Sequence, residues 1–210
     1  MSSDSSSPQY AMGLDTSSPT LRLGLSNFAE VNDHQSWAVG RDLSLYLHQH
    51  LAEIIKPYAW SELTWIAVVK GPGSYTGTRI GVVTARTLAQ QLNLPLYGVS
   101  TLAMLAQAYF TNTPCLPGTQ VAVEMLGQRG HVHGGIYQLG AKGTVLITRA
   151  DAHLTIAEWE EVLSQQPRQK RLSVSDHPLS DASLSQALLE IGQQHQGKQA
   201  PWEAVTPYYG

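Results

Sequence analysis

One cysteine, Cys115, stands in 210 residues, so no internal disulfide can staple the fold, and the thiol reads as a small buried side chain in a reducing compartment. Charge is scarce as well. Asp, Glu, Lys and Arg make up 14% of the chain, with 13 basic against 16 acidic residues and a formal net charge of −3. That balance leaves no basic footprint for gripping a phosphate backbone, which argues against nucleic acid bound by this chain alone. No apolar run reaches the length needed to cross a bilayer. Residues 1–7 are serine-rich, without the basic start and apolar centre of a signal peptide, and predict a disordered tail over 1–8 of a cytoplasmic protein.

Reactive motifs are missing too. The histidines include His48/His50 and His131/His133 but no pair four apart, the spacing that sets two metal ligands on one helical face. On a helix His48 and His50 diverge by about 200°. His131 and His133 would share one face of a strand, yet no Cys, Asp or Glu set stands near them in sequence. No metal is expected. Neither Ser74 nor Ser100 lies in Gly-x-Ser-x-Gly, so an esterase elbow has no support.

Glycine is concentrated in one place. The apolar run Trp65-Ile66-Ala67-Val68-Val69 suits a buried strand and ends at Lys70-Gly71-Pro72-Gly73-Ser74-Tyr75-Thr76-Gly77-Thr78-Arg79-Ile80-Gly81, which opens a helix over 78–92. Gly71, Gly73 and Gly77 permit positive φ and close approach, and Ser74 or Thr76 can cap the first free N–H groups. The stretch is not a Walker loop, because Thr76 stands where the second glycine belongs and no lysine follows Gly77. Nor is it a dinucleotide loop, since Gly77 comes one residue late. In the helix, Gly81, Ala85 and Ala89 recur every fourth residue and form a flat face suited to tight packing. Ile80 and Val83 fall outside that face, a second apolar strip open to another chain.

Upstream, residues 10–14 and 21–25 form a hairpin around the turn cluster Asp15-Thr16-Ser17-Ser18-Pro19, and Trp37-Ala38-Val39 adds a third strand. A helix over 42–56 follows, with Asp42 as its cap and Lys56-Pro57 as its stop; Leu43, Leu47, Leu51 and Ile54 line one face, with Leu45 and Ala52 opposite. A strand at 96–99 and a helix over 101–109 complete β-β-β-α-β-α-β-α. After Pro117-Gly118 the pattern restarts with strands at 121–123, 131–137 and 144–147, a helix over 155–163 with a Thr155/Glu158 capping box, and a helix over 181–194. The fold expected is α/β and two-lobed, actin-like and ribonuclease-H-like, with a first lobe over 9–110 and a reduced second lobe over 111–210.

The run Gly71 to Gly81, with Pro95-Leu96-Tyr97-Gly98-Val99-Ser100-Thr101-Leu102 after it, resembles the signature of the TsaB (YeaZ) family, the dimerization subunit of the bacterial machinery that makes threonylcarbamoyladenosine in tRNA. Weaker likeness covers Gly13-Leu14-Asp15-Thr16-Ser17 and Pro207-Tyr208-Tyr209. The resemblance implies a signature loop at Gly71, Pro72, Gly73, Ser74, Tyr75, Thr76, Gly77 and Arg79, and a non-catalytic activator without cofactor. It implies pairing with the catalytic, metal- and ATP-binding homologue TsaD through Leu45, Ala52, Ile80, Val83, Arg86 and Thr87. The ATPase TsaE would join the assembly, tRNA would be met only within it, and the chain alone would form a homodimer. Asp15, Thr16 and Ser17 occupy the place of a first phosphate hairpin but lack its glycine, a degenerate nucleotide pocket. Leu126-Gly127-Gln128 replaces the family's Asp-Ala-Arg triplet, so that triplet's role cannot be carried over. The alternatives are a hydrolase of peptidase type and an actin-like ATP-binding enzyme.

Overall fold

Strand β1 (Tyr10–Asp15) is buried along its whole length because both its faces are covered. Tyr10, Met12 and Leu14 point into one apolar cluster, whereas Ala11 belongs to another on the opposite face. A computed structural model describes residues 9–165 and 170–208 of the chain. Residues 1–8, assigned above to a tail, and Tyr209 lie outside the described residues.

The first sheet has the order β3-β2-β1-β4-β5. The meander of β1, β2 (Thr20–Ser26) and β3 (Asn32–Ala38) is antiparallel, and β4 (Leu63–Val69) and β5 (Leu96–Val99) add in parallel. Helices α1 (Leu43–Ile54) and α2 (Tyr75–Leu92) cover one face, through Leu43, Leu47, Leu51 and Ile54 and through Val82, Ala85 and Ala89. Asp42 stands at the N-cap of α1 as expected, but its side chain makes no capping bond, because a short 3-10 turn at Gly40–Asp42 leads into the helix.

Helices α3 (Thr101–Asn112) and α5 (Asp181–His195) cover the other face, where Leu188 and Leu189 press against Gly13. Helix α3 is buried from Thr101 to Ala108 because it also packs on the second sheet, through Val121, Val123 and Tyr137. An all-round apolar helix between two sheets is what that burial requires.

The second sheet runs β8-β7-β6-β9 and contains β6 (Gln120–Leu126), β7 (His131–Leu139), β8 (Val145–Thr155) and β9 (Lys170–Ser173). Helix α4 (Ile156–Ser164) seats Trp159 on its outer face, and Thr155 and Glu158 form the expected capping box. Some element ends differ from the sequence reading, β3 starting at Asn32 and not Trp37 and α2 at Tyr75 and not Thr78, and two larger differences lie in this second sheet. Strand β8 continues eight residues past Ile147, to Thr155, and β9 is an additional strand. Both are edges of the sheet, so neither shows the apolar alternation that marks a covered strand.

Candidate functional site

The glycine stretch closes onto the β1–β2 turn. Ser74 N donates to Ser17 O at 2.7 Å, and Thr16 Oγ1 donates to Gly77 O at 2.8 Å. A Cβ on Gly73 would overlap the carbonyl oxygen of Ser17, one on Gly77 that of Thr16, and one on Gly81 the Thr16 hydroxyl. Three glycines four residues apart thus form a track along which the turn lies in backbone contact. Of Gly71, Gly73 and Gly77, only Gly71 has positive φ, at 102°; the other two are small for reasons of space. Ser74 caps α2 by accepting from Gly77 N at 3.2 Å. Thr76 and Arg79 are exposed, and Arg79 stacks on the Tyr75 ring 5.1 Å away while donating to its hydroxyl.

Asp15 is fully buried and fully engaged. One carboxylate oxygen accepts from Ser17 N at 2.8 Å and Ser17 Oγ at 2.7 Å, and the other from Arg22 Nη1 at 2.8 Å. Arg22 Nε reaches Asp181 Oδ1 on α5 at 2.5 Å. Burial pulls the Arg22 pKa down, but Asp15 and Asp181 outweigh it and hold the guanidinium above its ordinary value. The cavity beside this turn, lined by Ser17, Arg22, Pro72 and Met104 among others, measures about 60 Å³. Small-molecule sites span roughly 300–1,000 Å³.

Outward from the sheet, α1 exposes Leu45 (71%) and α2 exposes Val83 (60%). Ala52 is exposed on α1 and Ile80 half-buried on α2. Thr87 is exposed and donates to Val83 O at 3.0 Å; the Arg86 guanidinium lies 5.5 Å from the centre of the Trp202 ring. A groove of about 390 Å³ runs between the start of α1 and the start of α2, lined by Arg41, Leu43, Thr76 and Ile80 among others. The structure therefore sets the signature loop against Asp15, Thr16 and Ser17, while Leu45, Ala52, Val83 and Thr87 lie on the outer surfaces of two helices that cover one sheet face.

A second polar cluster went unseen in the sequence. Asp151 on β8 accepts from the hydroxyls of Ser100 and Tyr137, one on each carboxylate oxygen, both bonds short. Burial raises the Asp151 pKa above the ordinary carboxylate value, against the pull of Ser100, Tyr137 and Lys70. These residues come from four elements or their ends, and no spacing in the sequence connects them. Among the described residues, no group of three or more His, Cys, Asp or Glu is placed to hold a metal ion, and no helix is long and apolar enough to cross a membrane.

The sheet order, the two lobes and the glycine-sealed β1–β2 turn define a two-lobed α/β protein of the actin-like, ribonuclease-H-like class. The chain belongs to the family described as TsaD: tRNA N6-adenosine threonylcarbamoyltransferase, whose profile matches residues 42–192, and it is similar to proteins named TsaB. It is 38% identical over 107 residues to the tRNA threonylcarbamoyladenosine biosynthesis protein TsaB of Bacillus subtilis, a stretch that is 51% of this chain and 44% of that one. It is 29% identical over 134 residues to Escherichia coli TsaB, covering 63% of this chain and 56% of that one. The chain thus spans about half the length of these relatives. In structure it is similar to YeaZ from Pseudomonas aeruginosa, with TM-score 0.75 and 23% identity over 96% of this chain and all of that one. A Pseudomonas aeruginosa protein described as similar to peptidase YeaZ gives TM-score 0.77, again at 23% identity, over 96% and 99%. These two likenesses are of fold.

Proposed function

We propose that this chain is a non-catalytic subunit of the threonylcarbamoyladenosine machinery, which pairs with a TsaD-type partner and supports transfer of a threonylcarbamoyl group to the N6 amine of the adenosine beside the anticodon. The observation that carries this reading is the pair of large apolar side chains, Leu45 and Val83, held outward on the two helices of one sheet face. An apolar surface on paired helices finds cover in another protein. Ala52, Ile80, Arg86 and Thr87 belong to the same proposed surface, and the signature loop fixes the start of α2 beneath it. TsaE would join the assembly, tRNA would be met only there, and the lone chain would pair with itself through the same face in the cytoplasm.

The engagement of Asp15 by Ser17 and Arg22 and the 60 Å³ cavity beside it support a site without nucleotide chemistry of its own. The name peptidase given to a structural relative keeps a hydrolase as the second reading. Val83→Glu separates the two. It is expected to abolish co-purification with the TsaD partner while leaving the circular dichroism spectrum unchanged; a retained complex removes Val83 from the interface, and peptide cleavage by the lone chain would restore the hydrolase.

A further inference from the structure

A cavity of about 650 Å³ opens on the side of the molecule away from α1 and α2, between the ends of β4 and β5, helices α3 and α5, and the start of β8. Its volume lies in the range of small-molecule sites, roughly 300–1,000 Å³. Its apolar lining comes from Val99, Ala103, Val145, Leu146 and Ile191. Its polar lining comes from the bonded group Lys70, Ser100, Asp151 and Tyr208, and from Gln194, His195 and Lys198 at and just beyond the end of α5.

The charges in this lining are unevenly matched. Asp151 already accepts two hydroxyl bonds, from Ser100 and Tyr137. No carboxylate among the described residues lies within ion-pair distance of Lys70 or Lys198. His195 donates through Nδ1 to Ile191 O at 2.8 Å in its neutral form, which leaves Nε2 for a further partner. Two ammonium groups outside ion-pair distance of any described carboxylate, in a lining whose one carboxylate, Asp151, is engaged by two hydroxyls, favour a ligand that brings an anion on an apolar body. We infer that this cavity binds a small organic anion, a carboxylate or phosphate carried on a flat apolar group, with Lys70 and Lys198 holding the charge and the walls from α3, α5 and β8 holding the body. The site is separate from the outward face of α1 and α2 and stands whether or not that face is an interface.

The probe is 8-anilinonaphthalene-1-sulfonate, an aryl anion whose fluorescence rises in apolar surroundings, titrated into the native chain. Saturable binding at one site per chain is expected. Ala150→Trp, at an exposed residue of the cavity wall, should fill the chamber and weaken binding at least about tenfold. Lys70→Gln tests the charge, and Val83→Glu should leave binding as it was. Indole-3-acetate should displace the dye at lower concentration than neutral indole-3-acetamide, and adenosine monophosphate, run alongside, tells a phosphate head group from a carboxylate. Dye binding indifferent to both Ala150→Trp and Lys70→Gln, or acid and amide displacing equally, would overturn the inference. A thermal melt of each variant separates loss of the site from loss of the fold.

Discussion

Gly81 faces the Thr16 hydroxyl so closely that a methyl group there has no room. The obstacle is held by its own bond to Gly77 O, so it cannot swing aside without leaving a buried hydroxyl unpaired. Gly81→Ala should therefore destabilise the fold by about 1–3 kcal/mol, in spite of alanine's better helix propensity. Urea denaturation followed by circular dichroism measures it. Adding Thr16→Ala removes the obstructing oxygen, and the double variant should recover part of the loss; coupling of at least about 0.5 kcal/mol is expected for residues in contact. Purely additive losses would show that Gly81 is small for some reason other than this contact. Arg22 makes the complementary case, since its removal leaves the buried Asp15 carboxylate without its cation. Arg22→Met should cost on the order of 3–5 kcal/mol by the same measurement, far more than an exposed ion pair.

Helices α1 and α2 divide their surfaces between two tasks. Leu43, Leu47 and Leu51 on α1, and Val82, Ala85 and Ala89 on α2, are buried against the sheet, so substitutions among them should unfold the protein. Leu45 and Val83 contribute nothing to that core. If the lone chain pairs through this face as proposed, Leu45→Glu and Val83→Glu should lower its sedimentation coefficient to that of a monomer while leaving the melting temperature at high dilution unchanged; an unmoved sedimentation coefficient would place any self-association elsewhere. This division was readable in the sequence because helical period alone separates Leu45 from Leu43, Leu47 and Leu51, as it separates Val83 from Ala85 and Ala89. The start of α2 was readable for a similar reason: β4 is apolar without a break and stops at glycine. Strand β9 was not, since Leu172 is its only apolar residue, and an edge strand paired on one side needs no more. Nor was the role of Gly73 and Gly77, whose smallness answers to a turn more than fifty residues earlier. The Asp151 cluster was invisible on the same ground, because its bond from Tyr137 needs the β7–β8 pairing and its bond from Ser100 needs the first sheet set against the second.

At the scale of the whole molecule the lobes share one seam. Helix α3 is buried between the two sheets, Arg22 on β2 bonds Asp181 on α5, and the chain returns at Tyr208, whose N–H donates to Lys70 O at 2.7 Å. His133 sits beside that return. Its ring centre lies 4.8 Å from His153 and 6.0 Å from Tyr208, and its Nδ1 is buried without a hydrogen-bond partner. Burial and then the His153 charge lower the His133 pKa below 6.5, and Asp151 only partly opposes them. A histidine whose pKa is depressed on folding binds fewer protons folded than unfolded, so its contribution is present above pH 6.5 and is lost as the pH falls below that value towards the folded pKa. His177, lowered by burial and by Arg22, acts in the same direction. Asp151, raised by burial, acts oppositely, its contribution declining as the pH rises from 3.8 through its folded pKa. The urea midpoint should therefore drop between about pH 7.5 and pH 5.5, and His133→Gln, which keeps a polar group but cannot take up a proton, should flatten that drop. Parallel curves for variant and wild type across this range would mean that the seam does not sense the protonation of His133.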